Sequence, residues 1–219
     1  MPAMRLQTPE QNYLQEVFPL NDPDLLKIKE RLMAQDLDFM SVSGPEARVL
    51  QFFIRALNLS KIVEVGTLFG YSAVAMASVL PENGKLISLE KSTDNFKIAQ
   101  ELVSESRVAH KIELICGDAI ESLKAIEGRG PFDLVFIDAN KGAYLDYLNW
   151  AEKNVRPGGL IIGDNTFLFG AVCGESRDPA VGPKQIRVMK EFNERLADRS
   201  KYNSIMIPSF EGMTVAQKL

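Results

Sequence analysis

Two short stretches gather oxygen donors of the kind that hold a hard cation: Asp138-Ala139-Asn140-Lys141 and Gly163-Asp164-Asn165. Each follows an apolar run, Phe132–Ile137 and Leu160–Ile162, that reads as a buried strand. If those strands are parallel neighbours, Asp138, Asp164 and Asn165 converge at their ends. Two carboxylates and one amide oxygen suit Mg²⁺, Mn²⁺ or Ca²⁺, with water or a substrate oxygen in the remaining positions. Without thiolate or imidazole the set is a poor zinc site. Asp-Asn is also an ordinary turn dipeptide. Lys141, three residues after Asp138, can accept a proton if a bound cation or desolvation lowers its pKa.

Three other predicted strands also end in acids or glycines. Ile62-Val63-Glu64-Val65-Gly66 leads through Thr67-Leu68-Phe69 to Gly70-Tyr71-Ser72 and into a helix. Glycines there permit a tight turn and close approach of a ligand, and the helix start points N–H groups at it. The stretch is not the three-glycine dinucleotide fingerprint, which disfavours a nicotinamide oxidoreductase. Glu64 suits a ligand carrying a positive amino group. Lys85–Glu90 ends in a carboxylate that can accept from a ribose diol or stand solvated. Ile112–Cys116 is followed by Gly117-Asp118-Ala119, where Asp118 either accepts from an adenine amino group or caps the next helix. Together Glu64, Glu90 and Asp118 would line one crevice and match an adenosine bearing an aminoacyl-like tail.

The elements that must position these residues alternate from Lys61 onward. Predicted helices span Tyr71–Leu80, Ser92–Ala109, Asp118–Ile126, Gly142–Asn154 and Pro183–Asp198. Pro157-Gly158-Gly159 is read as a turn into Leu160. Repeated strand–helix alternation implies a parallel sheet covered on both faces. Asn203–Pro208 and Met213–Gln217, joined through Gly212, read as an antiparallel hairpin at the sheet edge. Before Lys61, helices are predicted over Thr8–Phe18, Asp22–Gln35 and Gly44–Asn58, as a lid, an edge cover or a dimer contact. The division is a helical extension over 1–60 and an α/β segment over 61–219, one structural domain overall.

Composition narrows the field. The 219 residues suffice for one well-filled core. The two cysteines lack metal or disulfide spacing, and reduced thiols fit a cytoplasmic protein. Cys116 is read as a small core residue and Trp150 as core. Asp133 and Asp146 are read as solvated surface acids, and His110 as a surface or capping residue. No leader pattern or bilayer-length apolar run is expected. A net charge of −4 carries no strongly basic nucleic-acid footprint.

On the motifs Glu64-Val65-Gly66…Gly70-Tyr71-Ser72, Asp138-Ala139-Asn140-Lys141 and Asp164-Asn165, the chain resembles the class I S-adenosylmethionine-dependent methyltransferases. It is most similar to the catechol and caffeoyl-CoA O-methyltransferase family, bacterial members included. The resemblance runs from about Tyr13 to the C-terminal hairpin. It implies a Rossmann-like seven-stranded sheet with an antiparallel last strand and a homodimer through the N-terminal helices. It also implies methyl transfer to a hydroxyl of a small aromatic acceptor with Mg²⁺ or a similar cation. By that resemblance Glu64, Gly66, Gly70 and Ser72 meet the methionine moiety of S-adenosylmethionine, Glu90 the ribose, and Asp118 with Ala119 the adenine. Asp138 and Lys141 would be catalytic, Asp138 would also adjoin the cofactor, and Asp138, Asp164 and Asn165 would bind metal. The family's acceptor-facing tryptophan is missing after Asp164-Asn165; Leu168 falls near its place. Phe167, Phe169 and Met40 are candidate pocket walls or core residues. The Gly170–Pro183 segment is a lid or an ordinary loop. Two alternatives are a tRNA wobble-uridine hydroxyl methyltransferase and a cofactor-binding module without catalysis.

Overall fold

The computed structural model describes residues 9–219. Thr8, the predicted start of the first helix, lies outside the described residues, as do residues 1–7 of the segment read for a leader. Seven strands occur among the described residues: β1 (Lys61–Val65), β2 (Lys85–Glu90), β3 (Ile112–Cys116), β4 (Phe132–Ile137), β5 (Val155–Asp164), β6 (Tyr202–Ile207) and β7 (Met213–Lys218). They form one sheet in the order β3-β2-β1-β4-β5-β7-β6. The parallel pairs include β1 with β4, β2 with β3, and β4 with β5. β7 is antiparallel to both β5 and β6, so the expected C-terminal hairpin is present. No helix among the described residues is long and apolar enough to cross a membrane.

The described chain divides into two compact units. The first comprises 9–61 and Thr67–Asp118. It carries α1 (Pro9–Val17), α2 (Pro23–Met33), α3 (Gly44–Ala56), α4 (Tyr71–Ala77) and α5 (Thr93–Ser104) beside β2 and β3. α2 opens on Pro23, with Asp22 accepting from the Asp24 N–H at 2.9 Å. α3 opens on a Ser43/Glu46 capping box. Leu25, Ile28 and Leu32 form one buried stripe, and Ala47, Leu50 and Ile54 another, at helical spacing. α4 has no charged residue and is buried on every side. α5 stops at Ser104, short of the predicted Ala109. There the Ser104 and Ser106 hydroxyls donate back to the Glu101 and Val103 carbonyls, each at 2.7 Å, in competition with the helix ladder.

Cys116 is a correction: it is exposed. Among the described residues β3 is an outermost strand, paired only with β2, and Cys116 is its last residue. His110 is exposed as read, its Nε2 3.7 Å from Glu82.

The second unit holds Ile62–Gly66 and Ala119–Leu219. It carries β1 from Ile62 on, β4 to β7, α6 (Ala119–Ile126), α7 (Tyr144–Asn154) and α8 (Pro183–Leu196). Phe132, Leu134, Val135, Phe136 and Ile137 are fully buried, as a parallel strand covered on both faces requires. Against this strand system stand Tyr144, Leu148 and Ala151 of α7, and Met189, Phe192 and Leu196 of α8, all buried. Each large side chain so buried contributes about 1.5–3 kcal/mol. Trp150 is core, with its ring 5.5 Å from that of Phe132.

β5 begins earlier than predicted. Val155 pairs with Phe132 and Leu160 with Leu134, so the intervening residues bulge out. The predicted Pro157-Gly158-Gly159 turn is therefore an irregularity inside a longer strand, with Gly158 at φ +75°. Asp133 corrects the surface reading: its side chain is only 14% exposed and takes the Arg156 Nε at 2.5 Å. The bulge returns Arg156 across Asp133, and a carboxylate so desolvated needs that partner. Asp146 is exposed as read.

Candidate active site

In the second unit Ile137 and Gly163 are register partners, so Asp138 and Asp164 each stand one step past the paired ends of β4 and β5. The Asp138 N–H donates to the Val65 carbonyl of β1 at 2.9 Å. Gly66 follows, at φ +105°, and a Cβ there would lie 2.0 Å from the Asp138 carbonyl oxygen. This glycine is thus required by backbone meeting backbone, whatever ligand approaches.

Lys141 opens the 3-10 turn Lys141–Ala143. Its Nζ donates to Asp138 Oδ1 at 2.9 Å and to the Tyr144 hydroxyl at 2.7 Å. Tyr144 Oη lies 2.9 Å from the Asp164 carbonyl and 3.1 Å from the Ile137 carbonyl. Asp164 is 1% exposed. Asn165, at φ +53°, brings its amide Nδ2 to 3.5 Å from Asp164 Oδ2, the outer limit of a hydrogen bond.

Charge sets the protonation of this cluster. Burial is the largest single influence on Lys141 and opposes its charge, but Asp138, Tyr144 and Asp164 together outweigh it. The lysine pKa is therefore raised in the protein alone, although burial by itself acts in the lowering direction that proton acceptance calls for. The conditional argument from sequence invoked desolvation and a bound cation; in the protein alone burial acts against the ammonium, and Asp138, Tyr144 and Asp164 act for it. Burial, ahead of every other influence, pushes the Tyr144 phenol up, against the pull of Lys141, and keeps it a neutral donor.

Among the described residues no three His, Cys, Asp or Glu side chains cluster as a metal site. The donor set here is two carboxylates completed by an amide. Asp138 and Asp164 bring two negative charges against the one positive charge of Lys141. That oxygen-rich, net-negative cluster fits a hard divalent cation in composition and charge.

The turn after Asn165 continues through left-handed residues, Leu168 at φ +49° and Phe169 at φ +53°. Such non-glycine conformations cost about 1–3 kcal/mol each and need support from their surroundings. The support is visible. Thr166 and Phe167 N–H groups donate to the Gly212 and Glu211 carbonyls at 2.9 and 2.8 Å. Asn193 Nδ2 donates to the Thr166 carbonyl at 2.9 Å, and the Thr214 hydroxyl to that of Thr166 at 3.0 Å. Leu168 is fully buried, so it fills core rather than standing open in the place of the family's tryptophan. Phe167 lies against Gly212, where a Cβ would meet its ring at 2.8 Å, while Phe169 is half-buried. In the Gly170–Pro183 segment, Arg177 donates to Glu211 at 3.0 Å. Glu64, on β1, is wholly buried. Ala119 is the first residue of α6.

The first unit has its own strand-end carboxylate. Glu90 closes β2; its Oε2 accepts from the Leu68 N–H and its Oε1 from the Ser92 N–H, both at 2.8 Å. Each oxygen keeps acceptor capacity toward a diol. Leu68 belongs to the glycine loop, so Glu90 and the loop are joined. Gly70 N-caps α4 at φ +90°, and a Cβ there would meet Val103 at 2.8 Å. Ser72 lies in the first turn of α4, 9% exposed. Thr67 and Ser88 hydroxyls pair at 2.6 Å beneath the loop. Asp118 is half exposed and takes Lys91 Nζ at 3.1 Å. Met40, on the 3-10 turn Asp38–Met40, is exposed.

Sequence reasoning missed Tyr144. The signal was available: it stands one helical turn after Lys141 and opens α7, the i,i+3 spacing that brings side chains together.

Comparison with known proteins adds to this geometry. The sequence model of a family described as O-methyltransferase matches residues 18–219. A catechol O-methyltransferase of Niastella koreensis is 34% identical over 209 residues, covering 94% of each chain. Caffeoyl-CoA O-methyltransferase 2 of Zea mays is 30% identical, covering 93% of this chain and 79% of its own. Among solved structures, the O-methyltransferase TomG of Streptomyces achromogenes, in complex with S-adenosylmethionine, superposes with a TM-score of 0.85. It is 31% identical, over 100% of this chain and 99% of that one.

Proposed function

The chain belongs to the O-methyltransferase family, and we propose that it transfers the methyl group of S-adenosylmethionine to a hydroxyl of a small, catechol-like aromatic acceptor with the help of a divalent cation. The observation that carries this reading is the Asp138–Lys141–Tyr144–Asp164 cluster at the paired ends of β4 and β5.

A phenol, with a pKa of about 10, is mostly protonated at neutral pH and is a poor nucleophile toward a sulfonium methyl. Asp138, Asp164 and Asn165 are the residues proposed to hold the cation, which when bound makes a coordinated hydroxyl more acidic. Lys141 is the proposed proton acceptor. With the charge of both carboxylates engaged, burial is left as the main influence on the lysine, and burial favours the neutral amine that can take a proton. Glu64 is assigned to the amino group of the cofactor's methionine moiety, with Gly66, Gly70 and Ser72 completing its site. Glu90 is assigned to the ribose, and Asp118 with Ala119 to the adenine. Asp138 also adjoins the cofactor in this assignment. A homodimer through the N-terminal helices and a cytoplasmic location belong to the same reading.

The test is direct. The protein is incubated with S-adenosylmethionine and a small catechol panel, with Mg²⁺ and then with EDTA, and methylated product is followed by mass spectrometry. Product with Mg²⁺, its loss in EDTA and its return with excess Mg²⁺ are expected. Equal product in EDTA would remove the cation from the reading. Cofactor binding without any methylated catechol would reject the acceptor class, and absence of cofactor binding would reject the whole.

A further inference from the structure

Tyr144 has no role assigned so far, yet it contacts Lys141 and the main chain at both strand ends that carry the carboxylates. Its side chain is wholly buried. The ring meets Phe192 edge-on, with centroids 5.1 Å apart and planes at 68°, and lies 6.3 Å from the ring of Tyr147. Phe192 is itself seated over Gly163, where a Cβ would come within 2.6 Å of its ring. A ring fixed on these sides delivers its hydroxyl to one place. There the single phenolic proton is shared between the Asp164 carbonyl at 2.9 Å and the Ile137 carbonyl at 3.1 Å, while the oxygen accepts from Lys141 at 2.7 Å.

Those acceptors are informative. Ile137 is the residue before Asp138, and the second carbonyl belongs to Asp164 itself. One hydroxyl therefore clips the backbone of β4 to that of β5 where each delivers a carboxylate, and steadies the lysine that pairs with Asp138. We propose that Tyr144 is a positioning residue for the cation site: it fixes the separation of Asp138 and Asp164 and the placement of Lys141. The inference rests on the cation reading given above and adds to it the element that holds the ligands in register. Partners that orient metal ligands, when removed, typically cost about 10- to 100-fold in metal affinity or activity.

Tyr144→Phe keeps the ring and its packing and deletes only the clip. Binding of Mn²⁺ as probe is measured by electron paramagnetic resonance on the wild type, Tyr144→Phe, Asp138→Asn and Tyr202→Phe. Tyr202 is the comparison for mere stability: it is also buried, and its hydroxyl donates to Glu152 at 2.9 Å. Tyr144→Phe is expected to weaken Mn²⁺ binding by about 10-fold or more and to lower kcat more than it raises the acceptor KM. S-adenosylmethionine affinity should hold. Tyr202→Phe should lose thermal stability while keeping Mn²⁺ affinity and kcat. Wild-type Mn²⁺ affinity and kcat in Tyr144→Phe would overturn the inference while leaving the cation reading intact. No Mn²⁺ binding by the wild type, or undiminished binding by Asp138→Asn, would overturn the cation reading and this inference with it. Should Tyr144→Phe fail to fold, Phe192→Leu loosens the ring but keeps the hydroxyl; unchanged Mn²⁺ affinity there would likewise overturn the inference.

Discussion

Glu90 in the first unit and Asp138 in the second stand at or just past the end of a parallel strand, and each carboxylate is engaged by donors of the protein. Glu90 is met by main chain: the N–H groups of Leu68 and Ser92 each donate to one of its oxygens. Asp138 is met by a side chain, the ammonium of Lys141, itself steadied by Tyr144. Backbone donors cannot change protonation or swing away, so Glu90 is a fixed acceptor suited to recognising a neutral diol. A cluster built from ionisable side chains responds to charge brought near it, which suits proton transfer. Under the proposed function, the same residue chemistry at the same topological place would serve recognition in one unit and reactivity in the other.

The contrast breaks hardest at Asp138. Asp138→Ala is expected to reduce turnover by on the order of 100-fold or more and to abolish the response to Mg²⁺, because several kcal/mol of transition-state stabilisation go with the ligand. Near-normal turnover in that variant would sink the cation model. Glu90→Ala should act differently, on stability and cofactor affinity. Two backbone donors lose their acceptor, at a cost of about 1–3 kcal/mol readable in a urea melt, and binding of S-adenosylmethionine should weaken. A melt unchanged from wild type would show that water replaces the carboxylate and that Glu90 does not hold the loop. The smallest effect is expected at Lys91. Its pair with Asp118 is 79% and 46% exposed, and Lys91→Ala should cost under about 0.5 kcal/mol with cofactor affinity kept. A large loss of affinity there would give that pair a part in recognition.

Much of this was legible in the sequence because parallel strands announce themselves. β2 and β3 fall where their apolar runs begin and end, and the acids and glycines follow each run without ambiguity. The places that escaped share a cause: they depend on which strands are neighbours. Cys116 looks like core until β3 is seen to be outermost. Asp133 looks solvated until the β5 bulge brings Arg156 across it. The raised pKa of Lys141 comes first from Asp138 and then Tyr144, both near in sequence, but Asp164, 23 positions away in the chain and at the adjoining strand end, adds to it. Tyr144 could have been paired with Lys141 from spacing alone, but its grip on the Ile137 and Asp164 carbonyls exists only once β4 and β5 lie side by side.

The absent Cβ of Gly66 has a consequence for anyone who would move this machinery elsewhere. Because the chain after β1 leaves no space beside the Asp138 carbonyl, Gly66 and Asp138 form one mechanical part although 71 residues of chain separate them. A graft that carried Asp138-Ala139-Asn140-Lys141 onto another sheet, without a glycine at the facing strand exit, would push the aspartate off its perch. The portable module is the pair of strand exits, and its two halves can be inherited only together.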